Sequence, residues 1–146
     1  MSSTKVFFYG LFMDSDLLRD QGLDPQQTVK AKLLDYKLVL ANRATMLPSP
    51  GSTVWGTLIA LNDAELTQLY SAPSVTGYQA IDIICNNEQN EEIRAKTYIL
   101  PNDYQLLAPD NTNYAKNLRN ICIKHALPDS YIRFLNNLIN KMENKK

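Results

Sequence analysis

Residues 5–13 read Lys-Val-Phe-Phe-Tyr-Gly-Leu-Phe-Met (KVFFYGLFM). The first five favour extended structure, because β-branched and aromatic side chains suit a pleated, half-buried surface. The chain then breaks at Gly10 and stays apolar. A turn at the surface would be expected to carry Asn, Asp or Ser there. The stretch therefore predicts a buried strand over 5–9, followed by a turn whose apolar residues need somewhere to point.

Working outward, Asp14 is placed to cap a short helical turn over 14–24, with Leu17 and Leu18 inward and Gly22 at its end. A strand is expected within 30–43, alternating through Leu34, Tyr36, Leu38 and Leu40. "LPSPG" (47–51) reads as a Pro-Gly loop. "TVWGTLIAL" (53–61) is a clear strand whose Gly56 suggests a bulge, or a backbone approached closely by something else. Asn62 and Glu65 stand at capping-box spacing at the head of a helix over 62–70, with Leu66, Leu69 and Tyr70 as its buried stripe. "YQAIDIIC" (78–85) and "IRAKTYIL" (93–100) form a hairpin across a long polar turn.

The last third is helical. Tyr114, Leu118, Ile121 and His125 recur at helical spacing, and Tyr131, Phe134, Leu135, Leu138, Ile139 and Met142 form a second stripe behind Pro128. Strands followed by helices make an α+β protein, with a curved or barrel-like sheet and helices packed over one side. The 146 residues read as a single domain over 1–146, with a tail that frays from about residue 141.

Fifteen acidic residues balance fifteen basic ones, so no net field draws nucleic acid or an anionic membrane. The apolar run 6–13 is too short to span a bilayer. Cys85 and Cys122 form no metal-type pair, His125 is the one histidine, and a metal site is not expected. Reduced thiols and a soluble, cytoplasmic protein follow as expectations. His125 falls on the apolar stripe near a helix end, where a structural role suits it better than a catalytic one. No GxSxG, P-loop or GxGxxG motif is present.

Tyr9-Gly10-Leu11-Phe12-Met13 resembles the Tyr-Gly-x-x-x signature of the γ-glutamylcyclotransferase-like (AIG2-like) family. "LLDYKL" (33–38), "PSPGSTVWGTLIAL" (48–61), "AELTQL" (64–69), "GYQAIDI" (77–83) and residues 112–135 resemble its further landmarks, in family order. The resemblance implies a small mixed or antiparallel β-barrel and a cofactor-free cyclisation. In that reaction the α-amine of a γ-glutamyl group attacks its own γ-carbonyl, forming 5-oxoproline and expelling an amine or amino acid. It implies that the amides after Tyr9 and Gly10 face a cavity, and that Tyr78 and Tyr114 line it. Residues Tyr9, Gly10, Leu11, Phe12, Met13, Tyr78 and Tyr114 are the candidate binding set, for a γ-glutamyl compound or another small carboxylate-bearing molecule. The alternative occupant of the same cavity is a protein partner, and the oligomeric state is left open.

One departure stands out. Where the family carries its proton-accepting glutamate, alignment on Leu69 places Pro73, or Ala72 after a one-residue slip, and neither can take a proton. The motif's aspartate is Tyr70 and its signature serine is Leu11. Asp82, Glu65 and Asp63 are poor substitutes, so no catalytic residue is assigned. Loss of a general base costs about 10²–10⁴-fold in rate.

Overall fold

The computed structural model describes residues 3–40, 44–71, 77–100 and 112–144. Strand β1 (Ser3–Phe8) leads into a 3₁₀ turn (Leu11–Met13) and helix α1 (Ser15–Asp20). Two long strands follow, β2 (Gln26–Leu40) and β3 (Ala44–Asn62), then α2 (Asp63–Tyr70). The hairpin β4 (Gln79–Asn87) and β5 (Glu92–Ile99) precedes α3 (Thr112–Lys124) and α4 (Asp129–Asn144). The strands close into a barrel in the order β1-β3-β2-β4-β5. All pairings are antiparallel except β1 with β5, which meet in parallel at Val6 and Lys96. The α+β barrel read from the sequence is the observed fold.

The second half of strand β1 is buried: Val6, Phe7 and Phe8 are all below 5% exposed. Each such side chain contributes roughly 1.5–3 kcal/mol by leaving water, which is why the stretch carries no polar alternation. Its backbone fits against β3 because of Gly56. A Cβ at that position would stand 2.1 Å from the Phe8 carbonyl oxygen. Close approach, the second of the two readings for this glycine, is thus the physical one. Two buried threonines fasten the barrel end: Thr97 donates its hydroxyl to the Phe7 carbonyl and Thr57 donates to that of Met13, both at 2.8 Å.

The Pro-Gly loop expected over 47–51 is corrected. Strand β3 runs through it, and the register jumps instead: Leu34 faces Thr53 while Tyr36 faces Pro48. Residues 49–52 thus swell out opposite Asp35, which sits at φ 64 and accepts the Gly51 N–H at 3.0 Å. A bulge uses the proline and glycine without ending the strand. Strand β2 also starts earlier than the sequence pattern indicates, at Gln26.

The capping box of α2 is present, with Asn62 and Glu65 satisfying each other's backbone N–H groups at 2.8 and 3.0 Å. Helices α3 and α4 form a hairpin whose Leu118, Cys122, Tyr131 and Leu135 join the barrel core. Phe134, expected on the buried stripe, is 37% exposed. Helix α4 continues to Asn144 with Met142 buried, where fraying from about residue 141 was expected.

Candidate functional site

Where β1 ends, the chain must leave the sheet without exposing its apolar turn. Gly10 stands at the head of the 3₁₀ turn, and the first intraturn bonds run from Met13 N–H to Gly10 and from Asp14 N–H to Leu11. The amides of Leu11 and Phe12 precede those bonds and have no acceptor within the turn. Thr57 holds the far end of the turn through the Met13 carbonyl. Leu11 and Phe12 face a cavity of about 270 Å³. Met13 does not: it is fully buried in the barrel core, which corrects its place in the candidate set. The other six, Tyr9, Gly10, Leu11, Phe12, Tyr78 and Tyr114, border that one cavity.

Five of the eight tyrosines converge there. Tyr9 donates its hydroxyl to the Tyr98 carbonyl at 2.6 Å, and Tyr78 donates to the Ala44 carbonyl, so each ring is fixed by a main-chain acceptor. Tyr70 stacks on Tyr98 with ring centres 3.7 Å apart and meets Tyr78 edge-on at 6.4 Å. Tyr114, at the start of α3, sits against Gly10, where an added Cβ would be 2.8 Å from its hydroxyl oxygen. Burial, then the neighbouring phenols Tyr78 and Tyr70, hold Tyr9 well above the ordinary phenol range. Burial does the same for Tyr70, aided by Tyr98. Tyr98 is raised by burial and by the carboxylate of Asp63. These three phenols are neutral hydrogen-bonding groups at neutral pH.

The sequence reading did not assign Tyr70, Tyr98, Leu17, Gln21 or Ala44 to the cavity, although it placed Leu17 inward and Tyr70 on a buried stripe. Tyr70 had a visible signal in its place on the apolar stripe of 62–70. Tyr98 lies in an ordinary strand pattern, and only barrel closure brings it to the mouth. Among the described residues that line the cavity, none is Asp, Glu, Lys, Arg or His.

A family model described as "Gamma-glutamyl cyclotransferase, AIG2-like" matches residues 6–117, well over half of the chain. The chain belongs to the γ-glutamyl cyclotransferase, AIG2-like family. It is similar to the γ-glutamylcyclotransferase of Bos taurus, 27% identical over 122 residues, covering 74% of this chain and 64% of the relative. The mouse (Mus musculus) γ-glutamylcyclotransferase is 28% identical, with 69% of this chain and 60% of that protein covered. The chain therefore spans less than two thirds of these relatives' length. A solved γ-glutamyl cyclotransferase superposes with a TM-score of 0.78 at 24% identity, covering 92% of this chain and 87% of that one.

Ala72 and Pro73 lie outside the described residues. The substitutes weighed from sequence are accounted for elsewhere. Asp82 is exposed on β4, 3.8 Å from Lys96, and borders a separate groove. Glu65 is committed to the α2 cap and also accepts the Asp24 N–H at 2.7 Å. Asp63 is exposed in the first turn of α2. His125 does have a carboxylate neighbour that the sequence did not reveal, with Nε2 3.5 Å from Asp14 Oδ1, but neither residue borders the cavity. Among the described residues, no three His, Cys, Asp or Glu side chains are gathered so as to hold a metal. No helix among them is long and apolar enough to cross a membrane.

Proposed function

We propose that this cavity takes a γ-glutamyl compound and that ring closure to 5-oxoproline is the reaction it serves. The observation that carries the reading is the convergence of the Tyr9–Phe12 turn, Tyr78 and Tyr114 on one amino-acid-sized hollow in a chain of this family. Intramolecular attack needs little beyond a bent substrate held in attack geometry. The turn supplies amide donors for a carboxylate or a developing oxyanion, and the packed rings exclude water from the reacting carbonyl. The α-amine must lose a proton before it attacks, and its nitrogen closes the ring as the γ-C–N bond to the departing amine breaks. That amine takes up a proton as it leaves. The substrate class is a γ-glutamyl amine, amino acid or peptide. The two free, buried cysteines suit a reducing compartment, the cytoplasm.

A second reading has its own support: no carboxylate is found among the described cavity residues, and alignment on Leu69 puts Pro73, or Ala72 after a one-residue slip, where the resemblance implies the family's glutamate. On that reading the protein binds the γ-glutamyl compound, or another small carboxylate-bearing molecule, without turning it over. Incubation with a panel of γ-glutamyl amines and dipeptides, with 5-oxoproline release measured, separates the two. Release well above the uncatalysed rate supports cyclisation. Saturable binding of the same compounds without release supports the binder. Glutamate introduced at position 72 or 73 then restores release if only the base is missing.

A further inference from the structure

We propose that a groove between β2 and β4 is a docking site for an extended acidic segment of another protein, which adds as a strand to the open edge of β4. The groove shares no lining residue with the tyrosine-rich cavity, so the inference does not depend on what that cavity binds. Its origin is an interrupted ladder. Strands β2 and β4 pair only at Ala31 with Asn87 and at Lys32 with Asn86. Past that rung β2 bulges at Asp35, which bends the strand, and its ladder with β4 does not resume. Each strand is bound along its other side, β2 to β3 and β4 to β5. The adjacent edges of 33–40 and 79–85 therefore have no ladder partner among the described residues. In an antiparallel ladder alternate residues aim their N–H and C=O groups at the outer edge, where another chain can pair with them.

A groove of about 830 Å³ takes its lining from both strands just beyond the last paired rung: Leu33, Leu34 and Tyr36 on β2, and Asp82, Ile83 and Ile84 on β4. Leu34 and Ile84, one from each strand, are 47% and 52% exposed and leave apolar surface for an incoming chain to cover. The two faces of the sheet differ here. Ile83 and Ala95 stand opposite one another and are buried, while the flanking pairs Asp82–Lys96 and Ile84–Arg94 are exposed. A strand that continues this sheet is therefore apolar at alternate positions, and charge decides what stands between them. Lys5, Arg94 and Lys96 line the groove against the one carboxylate of Asp82. Asp82 lies 3.8 Å from Lys96, and neither Lys5 nor Arg94 has an ion-pair partner among the described residues. An edge charged in this way repels a strand of its own sign and selects one of the opposite sign. A second copy of this chain would bring the same cationic rim, so the fitting occupant is a different chain with carboxylates between its apolar residues.

The test follows fluorescence anisotropy of labelled, end-blocked peptides of about eight residues, a strand-sized length, titrated with the full chain. One alternates glutamate and valine, one alternates lysine and valine, and one is the acidic peptide N-methylated throughout. Expected is saturable binding of the acidic peptide, about tenfold or more tighter than the basic one and weakening as salt rises. N-methylation weakens it by about tenfold or more, because main-chain pairing carries the affinity. Arg94→Gln weakens the acidic peptide by about threefold, and Ile84→Glu, which sets a carboxylate on the open edge, by about tenfold. Both positions are exposed, so the fold is retained, which circular dichroism checks. The comparison of the three peptides on the parent chain stands without the variants. Equal binding of the acidic and basic peptides, or undiminished binding of the N-methylated one, overturns the proposal. So does dimerisation of the chain that Ile84→Glu abolishes, which would give this edge to a second copy.

Discussion

Gly10 and Tyr114 occupy each other's space: a Cβ on the glycine would lie 2.8 Å from the tyrosine hydroxyl oxygen. The backbone at Gly10 is extended at φ −105, so conformational freedom is not the reason for glycine here. The reason is contact between the end of β1 and the start of α3, 104 residues apart in the chain and joined at the cavity wall. Gly10→Ala should cost about 1–2 kcal/mol, as overpacking does, and should reduce the cavity's capacity for ligand. Because the clash is with one hydroxyl, adding Tyr114→Phe should recover part of the loss, with a coupling of at least about 0.5 kcal/mol. Urea unfolding of the two single variants and the double variant measures it. Strict additivity would rule the contact out.

Gly56 differs in what its missing Cβ would meet. The obstacle is the Phe8 carbonyl at 2.1 Å, and a main-chain atom in a barrel strand cannot swing aside. Gly56→Ala should therefore cost more than Gly10→Ala, on the order of 3 kcal/mol or more, or should fail to give a folded barrel. Circular dichroism with chemical denaturation of the purified variant decides. A stability within 1 kcal/mol of the parent would mean that β1 and β3 are not packed this closely.

These two glycines also mark how far the sequence could be read. Gly56 signalled a close approach on its own, because glycine in a strand is costly unless something needs the room. Gly10 signalled a break, but its partner lies 104 positions away and no local pattern names it. The strands, the α2 capping box and the helical stripes were legible because each follows a period or a cap chemistry set by neighbours in sequence. The 49–52 bulge was not, since proline and glycine mark a departure from regular pairing without saying whether the strand resumes. Met13 was misplaced for a related reason. An apolar residue in a turn can fill the core or line a hollow, and only the packed barrel separates Met13 from Leu11 and Phe12. The cavity's five tyrosines come from five separate segments of the chain, and that wall was half visible at best.

Lys124 at the end of α3 joins two acids at the start of α1, with Nζ 3.0 Å from both Asp14 oxygens and 2.8 Å from Asp16 Oδ2. The hydrogen bond and charge of Lys124 hold the Asp16 carboxyl below its ordinary value, while Asp16 and then Asp14 raise Lys124 above its own. A lowered acid pKa contributes stability that is present above pH 3.8 and lost as pH falls through the folded value. A raised amine pKa contributes stability that is present below pH 10.5 and lost as pH rises through the folded value. Lys124→Met should therefore lower the melting temperature at pH 7 while removing part of the decline at both extremes. Solvent exposure of Lys124 and Asp16 keeps the effect small and salt-sensitive. Thermal unfolding from pH 3 to 11 at low and high salt checks it, and unchanged pH curves would show that this cluster is not coupled to folding.

Burial pushes the Cys85 thiol up to about 11 and the Cys122 thiol up to about 12. Reactivity follows the thiolate, so neither cysteine should label with a thiol reagent at pH 8 in the native protein, while both should label in denaturant. A stoichiometric labelling time course would expose any reactive thiol at once.

Ala126 closes α3 in a conformation that suits glycine, at φ 56. Its N–H bonds to the Ile123 carbonyl and that of Leu127 to the Cys122 carbonyl, both at 3.0 Å, the paired pattern that ends a helix through a left-handed residue. At the matching position after α1 the chain does use glycine: Gly22, at φ 85, bonds to Arg19 and is followed by Leu23 bonding to Leu18. The same termination is thus made once with a relaxed residue and once with a strained one. Left-handed geometry costs a non-glycine residue roughly 1–2 kcal/mol, and the greater freedom of glycine in the unfolded chain offsets part of that. Ala126→Gly should therefore stabilise the protein by about 0.5–1 kcal/mol, and Gly22→Ala should destabilise it by a similar amount or more. Opposite shifts in the urea midpoint, with unchanged slope, are the expected result. A destabilising Ala126→Gly would mean that the alanine methyl makes packing contacts that outweigh the strain.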